Sequence, residues 1–281
     1  MLEKSNWKLL LAAFFRIFFI CFVLSIMYIP VFLIIYQSFN QTANSISPLA
    51  WGGFTFSNYK EMFTNRQLYT SILDSLLISL WTTFIATIAG LFISIGINAL
   101  GKKARKAMDF LNEIPMLNSE IVTGISIMIV CSVLKPIFPD IFGFSSMLLA
   151  HVFFTIPYVI LMVLPKLEQT DEALYEAARD LGCSPAKALF KVIIPSLSTS
   201  IMTGALIAFT LSIDDFVISF YTQGNGFSNF SNYVYSAYTK KNFSAGSYAF
   251  NALLTFITLG IVLFVSLRSS KKQTGKGTKQ K

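Results

Sequence analysis

Four carboxylates stand within long apolar stretches of this sequence, and they are its clearest candidates for chemistry. They are Asp74, Glu120 and the adjacent pair Asp214 and Asp215. An ionisable group in an apolar environment is costly, so it usually lies on the path of a solute or an ion. No lysine or arginine accompanies these acids at the same depth. A lining made only of acids favours a cationic solute, as rings of acidic residues do in cation channels.

Helix ends offer a second explanation for some of these acids. Asp74 follows Ser71 at capping-box spacing, and Glu120 lies in the first turn of a predicted helix, so either can serve a helix N-terminus. Asp214 and Asp215 fall near the C-terminal end of a predicted helix, where the helix dipole disfavours negative charge. We therefore predict that capping does not explain this pair. Contact with a solute and pairing with an arginine of a partner subunit remain as alternatives.

Aromatic side chains follow the acidic pair. Phe216 is the next residue, Tyr221 lies further along the same segment, and Tyr235 comes later. Aromatic faces attract primary ammonium groups through cation-π contacts, so these rings are candidate walls of the same path. Aromatic residues make up 15% of the chain, so lipid contact or ordinary packing is the alternative role for each of them.

Residues for bond-breaking chemistry or metal binding are scarce. The single histidine, His151, lies inside an apolar run, and we predict that it is packed and hydrogen-bonded rather than a metal ligand. The three cysteines share no short spacing, so neither a metal site nor a disulfide framework is indicated. No GxxxxGK[ST] phosphate-binding loop occurs. The sequence therefore predicts no catalytic residue, no metal and no cofactor bound by this chain.

The elements that must position these residues are apolar helices. Of the 281 residues, 54% are hydrophobic and 13% are charged, which is typical of a membrane protein. A helix needs about 20 apolar residues to cross the hydrocarbon core of a bilayer. Six segments meet this requirement, at roughly 17–37, 72–99, 116–134, 145–165, 196–219 and 247–267. We predict an all-α integral membrane protein with six transmembrane helices.

Positive charges predict the orientation of these helices. Most of the 22 lysines and arginines lie in the N-terminus, after the second and fourth spans, and in the C-terminal tail. Because such residues stay on the cytoplasmic side during insertion, both termini are predicted to be cytoplasmic. We predict a cytoplasmic N-terminus (1–16), a transmembrane domain (17–267) and a basic, disordered tail (268–281) against anionic lipid. Nucleic acid is not predicted as a partner, because the basic residues form no single soluble face.

A polar segment, 166–195, interrupts the apolar chain on the predicted cytoplasmic side. Thr170 can cap a helix that begins with Asp171 and Glu172, where the helix dipole favours acids. Gly182 stands where the end of that helix favours a residue with positive φ. The first half of the segment is therefore predicted to be a short helix that ends at a glycine.

The second half of the segment predicts another short helix. Ser184 can cap it, Pro185 suits its first position, and it is predicted to end against Pro195. Two short helices joined at a glycine are unusual for a loop between spans and favour a docking surface for a soluble partner. A plain connector is one alternative. A DNA-binding helix-turn-helix is another, although tethering to the membrane at both ends would keep its recognition helix from the major groove.

The same segment resembles the EAA loop of ABC importer permeases, whose pattern is Glu-Ala-Ala, three residues, Gly, nine residues and Ile-x-Leu-Pro. The matching residues of this chain are Glu176, Ala177, Ala178, Gly182 and Pro195. Val192 and Ile194 stand where the family has Ile and Leu. In that family the loop seats in a groove of the ATPase subunit. The resemblance therefore implies that these residues couple the chain to an ATPase.

Longer stretches resemble the C-type permease of spermidine and putrescine importers over most of 54–265. They include FTFSNYKEMF, LAHVFFTIPYVILMVLPKLEQTDEALYEAARDLG and AFTLSIDDFVISFYTQG. The outer segment after the fifth span matches less well, retaining Tyr235 and the run Asn251, Ala252 and Leu253. The resemblance implies a type I (MetI-like) ABC importer permease bundle of six helices in the cell membrane.

The resemblance also implies partners. They are two copies of a cytosolic ABC ATPase that binds the ATP, a second permease subunit, and an extracellular or periplasmic polyamine-binding protein. The chain would then be a permease subunit without enzymatic activity that takes up polyamines. Alternatives are an ABC permease for another cation or an amino acid, an ion-coupled secondary transporter with inverted repeats, and an integral-membrane enzyme.

Overall fold

The computed structural model describes residues 3–41, 50–224, 226–241 and 243–277, and side chains for 13–41, 50–224, 226–241, 243–261 and 263. All named elements within these ranges are helices, as predicted. The chain divides into two units by its internal contacts. The first unit comprises 1–68 and 240–259, and the second comprises 69–239 and 260–281.

The first unit opens with the long helix α1 (Glu3–Ser38). Its stretch Ala13–Ser38 has a mean hydropathy of 2.8, and side chains 13–30 are all exposed. Pro30 lies inside the helix without ending it. An apolar surface of this extent suits contact with lipid or with another apolar helix rather than with water.

Buried polar contacts hold the rest of the first unit together. Asn58, in α2 (Ser57–Thr64), donates through Nδ2 to the backbone carbonyls of Ser38 and Asn40, at 3.1 and 3.0 Å. Ser244 Oγ donates to Glu61 Oε1 at 2.7 Å, just before α13 (Gly246–Gly277) begins. These bonds satisfy polar groups that would otherwise be costly to bury.

The second unit carries most of the helices. They are α3 (Arg66–Asn98), α4 (Lys102–Leu117), α5 (Glu120–Leu134), α6 (Phe144–Glu168), α7 (Glu172–Asp180), α8 (Pro185–Ala188), α9 (Ile194–Ser196), α10 (Ser198–Ile213), α11 (Val217–Thr222) and α12 (Phe230–Thr239). A π-helical turn, Leu189–Ile193, lies between α8 and α9. The first residues of α3 belong to the first unit, and α13 continues from the first unit into the second.

The core of the second unit lies between α3, α6 and the start of α10. Its fully buried members include Ala86, Val159, Val163, Leu197 and Ala208. The buried residues of α6 recur every three or four positions, which is the spacing of one helical face. This face packs against α10, and it positions the residues that precede and follow both helices.

Three described helical segments are long and apolar enough to cross a membrane, and two bent helix pairs raise that number to five. The three are Ala13–Ser38, Arg66–Asn98 and Phe144–Glu168, which contain most or all of the first, second and fourth predicted spans. The other two differ from the prediction. The third span (116–134) is interrupted, because α4 and α5 meet at 96°. The fifth (196–219) ends early, at Ile213, and is bent by 70° before α10.

The predicted termini also differ from the observed helices. The sixth predicted span, 247–267, lies in α13, whose described apolar part is Gly246–Ile261. Helix α13 continues to Gly277, inside the segment that the sequence predicts to be disordered. The remainder of the predicted tail lies outside the described residues. Helix α1 begins at Glu3, inside the predicted N-terminal segment.

Candidate functional site

The polar segment after α6 begins with a capped helix. Asp171 precedes α7, and its Oδ1 accepts a hydrogen bond from the backbone N–H of Ala173 at 3.0 Å. The prediction that Thr170 caps this helix is wrong, because its hydroxyl donates back to the Lys166 carbonyl at 2.9 Å. A cap must directly precede the first helical residue, and Asp171 occupies that position with extended backbone.

A glycine ends α7, as predicted. Gly182 has φ of +83°, which is the left-handed conformation that glycine adopts without strain. Its N–H donates to the Arg179 carbonyl at 2.9 Å, and the N–H of Cys183 donates to the Ala178 carbonyl at 3.1 Å. These two bonds form a Schellman motif, which satisfies the last carbonyls of the helix. The chain therefore turns sharply at Gly182.

The second half of the segment starts as predicted and ends differently. Ser184 caps α8 and Pro185 occupies its first turn. The single helix predicted up to Pro195 is instead α8, the π-helical turn and α9, with Pro195 inside α9. Proline lacks the N–H that would bond to the carbonyl four residues earlier, and a π-helical turn accommodates the missing bond. The bend toward α10 follows at Leu197.

The residues of the Glu-Ala-Ala run have different exposures. Glu176 and Ala177 are exposed, whereas Ala178 is buried at 6%. Glu176 also borders a cavity of about 570 Å³ whose walls include Tyr175 in α7 and Asn98 at the end of α3. Ala178 thus anchors α7 while Glu176 and Ala177 remain accessible.

The acidic pair lies in a break between two helices rather than inside a span. Helix α10 ends at Ile213 and α11 begins at Val217. Asp214 is exposed, whereas Asp215 is buried at 8%. The side chain of Asp215 accepts from the backbone N–H groups of Ile218 and Ser219, at 3.3 and 2.7 Å. The prediction that a helix end does not explain this pair is wrong for Asp215, because its carboxylate accepts from free N–H groups at the start of α11, which begins two residues later.

A buried histidine holds this break. His151, in α6, is fully buried, and its Nδ1 lies 2.6 Å from Ser212 Oγ. Its Nε2 lies 2.9 Å from Ser219 Oγ and 3.4 Å from Asp215 Oδ2. Asn229 Nδ2 donates to the Asp215 carbonyl and to Ser219 Oγ, at 2.6 and 2.9 Å. The prediction of a packed, hydrogen-bonded histidine is confirmed. We call these five residues the His151 cluster.

Sequence reasoning missed three members of the His151 cluster. Ser212, Ser219 and Asn229 carry no motif of their own. Ser212, Asp215 and Ser219 are spaced at i, i+3 and i+7, which places polar groups on one side of an apolar segment. This spacing was the available signal, although it does not identify the histidine as their common partner.

Asp74 reaches the same part of the fold. Helix α3 begins at Arg66, so Ser71 and Asp74 lie inside it and cannot form the predicted capping box. Asp74 Oδ2 instead accepts from the backbone N–H of Ser228 at 3.4 Å, next to Asn229 of the His151 cluster. The contacts of the described residues thus bring Asp74 and Asp215 to one loop.

Glu120 and the predicted aromatic residues lie at separate places. Glu120 is exposed in the first turn of α5, as predicted. Phe216 lies between Phe220 and Tyr235, with ring centroids 5.7 and 5.0 Å away. Tyr221 contacts Phe220 edge-on at 5.6 Å. The structure therefore gathers the three predicted aromatics, with Phe220, into one cluster that includes Phe216, two residues after Asp214, and it leaves Glu120 outside this group.

Comparisons with known proteins agree on one class. The family model described as "Binding-protein-dependent transport system inner membrane component" matches residues 83–273. The spermidine/putrescine transport system permease protein PotC of Haemophilus influenzae is 32% identical over 211 residues, covering 75% of this chain and 79% of that protein. PotC of Escherichia coli is 28% identical over 249 residues, covering 89% and 91%.

A solved structure agrees with the fold. A bacterial ABC transporter involved in the import of alginate aligns with a TM-score of 0.70 at 17% identity, covering 95% of this chain and 96% of that chain. Its identity is low, so this likeness concerns the fold alone. The family match covers more than half of the chain. This chain therefore belongs to the family of binding-protein-dependent transport system inner membrane components, which are non-enzymatic permease subunits of ABC importers, and it has the type I importer permease fold.

Proposed function

We propose that this chain is the permease subunit of an ATP-driven importer that takes up polyamines such as spermidine and putrescine. The observation that carries the proposal is its similarity to PotC along most of both chains. A polyamine is a flexible chain that carries several ammonium groups. Exposed carboxylates and aromatic rings are the groups that bind such a cation, and exposed Asp214 lies two residues before Phe216 of the aromatic cluster.

Within the solute path, the two adjacent acids have different roles. Asp214 is exposed and contacts the solute, together with Phe216, Tyr221 and Tyr235. Asp215 is engaged by two backbone N–H groups and lies 3.4 Å from His151, so it holds the break in place. Asp74 and Glu120 extend the acidic lining of the path. Pairing of Asp214 with an arginine of a partner subunit is the competing role.

The segment after α6 couples the chain to its ATPase. Glu176 and Ala177 offer the accessible surface, and buried Ala178 transmits a push on α7 to the helices beneath it. Gly182 sets the turn between α7 and α8, and Pro195 lies just before the bend into α10. ATP is bound and hydrolysed by two copies of a cytosolic ABC ATPase.

The complete importer contains further partners. We propose six crossings with both termini in the cytoplasm, the orientation that the positive charges predict, so that the Glu176 segment faces the ATPase. A second permease subunit completes the path, and an extracellular or periplasmic polyamine-binding protein delivers the solute. The exposed apolar surface of α1 suits contact with lipid and with that second subunit.

Uptake by the complete complex in lipid vesicles tests this function. We expect ATP-dependent accumulation of labelled spermidine, with unlabelled putrescine competing and lysine competing poorly. Competition by an amino acid alone would assign the path to another solute. Uptake driven by an ion gradient without the ATPase would contradict the whole assignment.

Substitution of the two acids tests their separate roles. We expect Asp214→Asn to raise the KM for spermidine about tenfold, the loss expected for one charge-assisted hydrogen bond. Thermal stability should be unchanged in that variant. Asp215→Asn should lower thermal stability without raising the KM. Asp140→Asn, at an exposed position between α5 and α6, is the control for the loss of one negative charge. A normal KM for Asp214→Asn would remove this residue from the path.

A further inference from the structure

One arginine joins the ends of three helices in the second unit. Arg105, in the first turns of α4, donates through Nη2 to the backbone carbonyl of Asn98, the last residue of α3. Through Nη1 it contacts Glu168 Oε1 at 3.2 Å, and Glu168 is the last residue of α6. A positive group at the C-terminal end of a helix satisfies a free carbonyl and complements the helix dipole. Arg105 therefore connects α3, α4 and α6.

A second polar contact fixes α4 along α6. Asn112 Nδ2 donates to the backbone carbonyl of Pro157 at 3.3 Å. Arg105, Asp109 and Asn112 follow each other at i, i+4 and i+7, so they share one side of α4. With contacts at two separated points, α4 is held along the inner half of α6 and cannot swing freely about either contact.

The position of Glu168 gives the arginine contact its importance. Only Gln169 and Thr170 separate Glu168 from Asp171, the residue that caps α7. A displacement of α7 is therefore passed directly to the end of α6. From there Arg105 is the polar link to α4, and α4 leads through the 96° bend into α5, which packs against α11.

The contact with Glu168 is poorly suited to stabilising the fold. The side chains of Arg105 and Glu168 are 28% and 39% exposed, and ion pairs this accessible contribute little to folding. The guanidinium is nevertheless suited to joining two helix ends, because its planar fork directs two N–H groups at once. Asp109, one turn along α4, is a second carboxylate that interacts electrostatically with Arg105.

We propose that Arg105 is a positioning residue that transmits movement of α7 to α3 and α4 during transport. This inference rests on the proposed ATP-driven uptake. Loss of the contact should let the ATPase and α7 complete their cycle while α4 follows incompletely. The result would be ATP hydrolysis with less solute movement.

The test measures spermidine moved per ATP hydrolysed in vesicles that contain the complete complex. We expect Arg105→Gln to lower this ratio about threefold to tenfold, the range of a local coupling contact. ATPase assembly and basal ATP hydrolysis should be retained. Lys106→Gln, the exposed neighbour on the same helix, removes the same charge and should behave as the wild type.

A double-mutant cycle identifies the partner. Because Glu168→Ala removes the same contact, the double variant should be no worse than Arg105→Gln alone. Additive losses, or a normal ratio in Arg105→Gln, would overturn the inference. If Arg105→Gln does not assemble, the Glu168→Ala variant is the deciding test, since it leaves the bond between Arg105 and Asn98 intact. A normal ratio in that variant also overturns the inference. A wild-type complex that hydrolyses ATP without moving spermidine contradicts the proposed function instead.

Discussion

The segment after α6 and the break after α10 both interrupt apolar helices, yet they are stabilised in different ways. The first is exposed and is held by bonds between residues at most five positions apart, such as Cys183 to Ala178. The second is buried and is held by His151, which bonds to Ser212 and Ser219 across 61 and 68 residues. One region keeps its shape by its own sequence, and the other keeps it only within the assembled bundle.

Because of this difference, the two regions have different mechanical properties. The two halves of the segment after α6 can shift about Gly182 without leaving buried polar groups unpaired. Movement of the break after α10 would separate the His151 cluster and leave buried donors and acceptors without partners, which is costly. The first region is therefore suited to movement against a partner, and the second to holding a site in fixed geometry.

Among substitutions in the two regions, His151→Ala is expected to cause the largest loss of stability. The substitution removes the shared partner of Ser212, Ser219 and Asp215 and leaves their polar groups buried. We expect the free energy of unfolding to fall by about 3 kcal/mol, measured by denaturation in mixed micelles. Ser212→Ala, which removes a single bond of the cluster, should cause about a third of this loss. Equal stabilities of His151→Ala and the wild type would mean that the cluster does not hold the break.

A smaller effect is expected from Gly224→Ala, shortly after the end of α11. A Cβ atom at Gly224 would lie 2.5 Å from both Gly143 N and Phe142 C, so the backbone would have to shift. We expect a loss of about 2 kcal/mol in the free energy of unfolding. Gly96→Ala is the matched control, because a Cβ atom there meets nothing within 4 Å. Equal losses in the two variants would contradict close packing as the reason for this glycine.

The smallest loss of stability is expected from Gly182→Val, in the segment after α6. A Cβ atom there meets nothing within 4 Å, so the effect comes only from the positive φ of +83°. We expect about 1 kcal/mol of destabilisation together with weaker retention of the ATPase during purification. Gly182→Asn should largely preserve both properties, because asparagine tolerates this conformation. Weak retention in both variants would point to contact with the glycine surface rather than to backbone shape.

The same contrast explains what the sequence could predict. The glycine turn, the Ser184 cap and the proline after it are local signals, and the structure contains all three. Thr170 was misread because it stands one residue from the true cap. Asp215 was misread for a different reason. Its capping role depends on where α10 ends, and that break depends on His151 and Asn229, which lie far from it in sequence.

The predictions of a capping box at Asp74 and of straight third and fifth spans were wrong for the same physical reason. Hydropathy identifies apolar stretches, but it does not reveal that α3 begins before the apolar run or that α4 and α5 meet at 96°. Those features depend on packing between helices. The fold class and the accessible Glu176 surface could thus be predicted from the sequence, whereas the different environments of Asp214 and Asp215 could not.

Because His151 is the only histidine in the chain, the buried cluster has its own spectroscopic reporter. Selective nitrogen-15 labelling of imidazole in this chain, assembled with unlabelled partner subunits, would produce one pair of ring signals per copy of the chain, with no assignment problem. Their chemical shifts would distinguish the two tautomers and the protonated ring while the importer passes through its cycle. A purification tag without histidine would be enough to make the bundle interior observable by magnetic resonance.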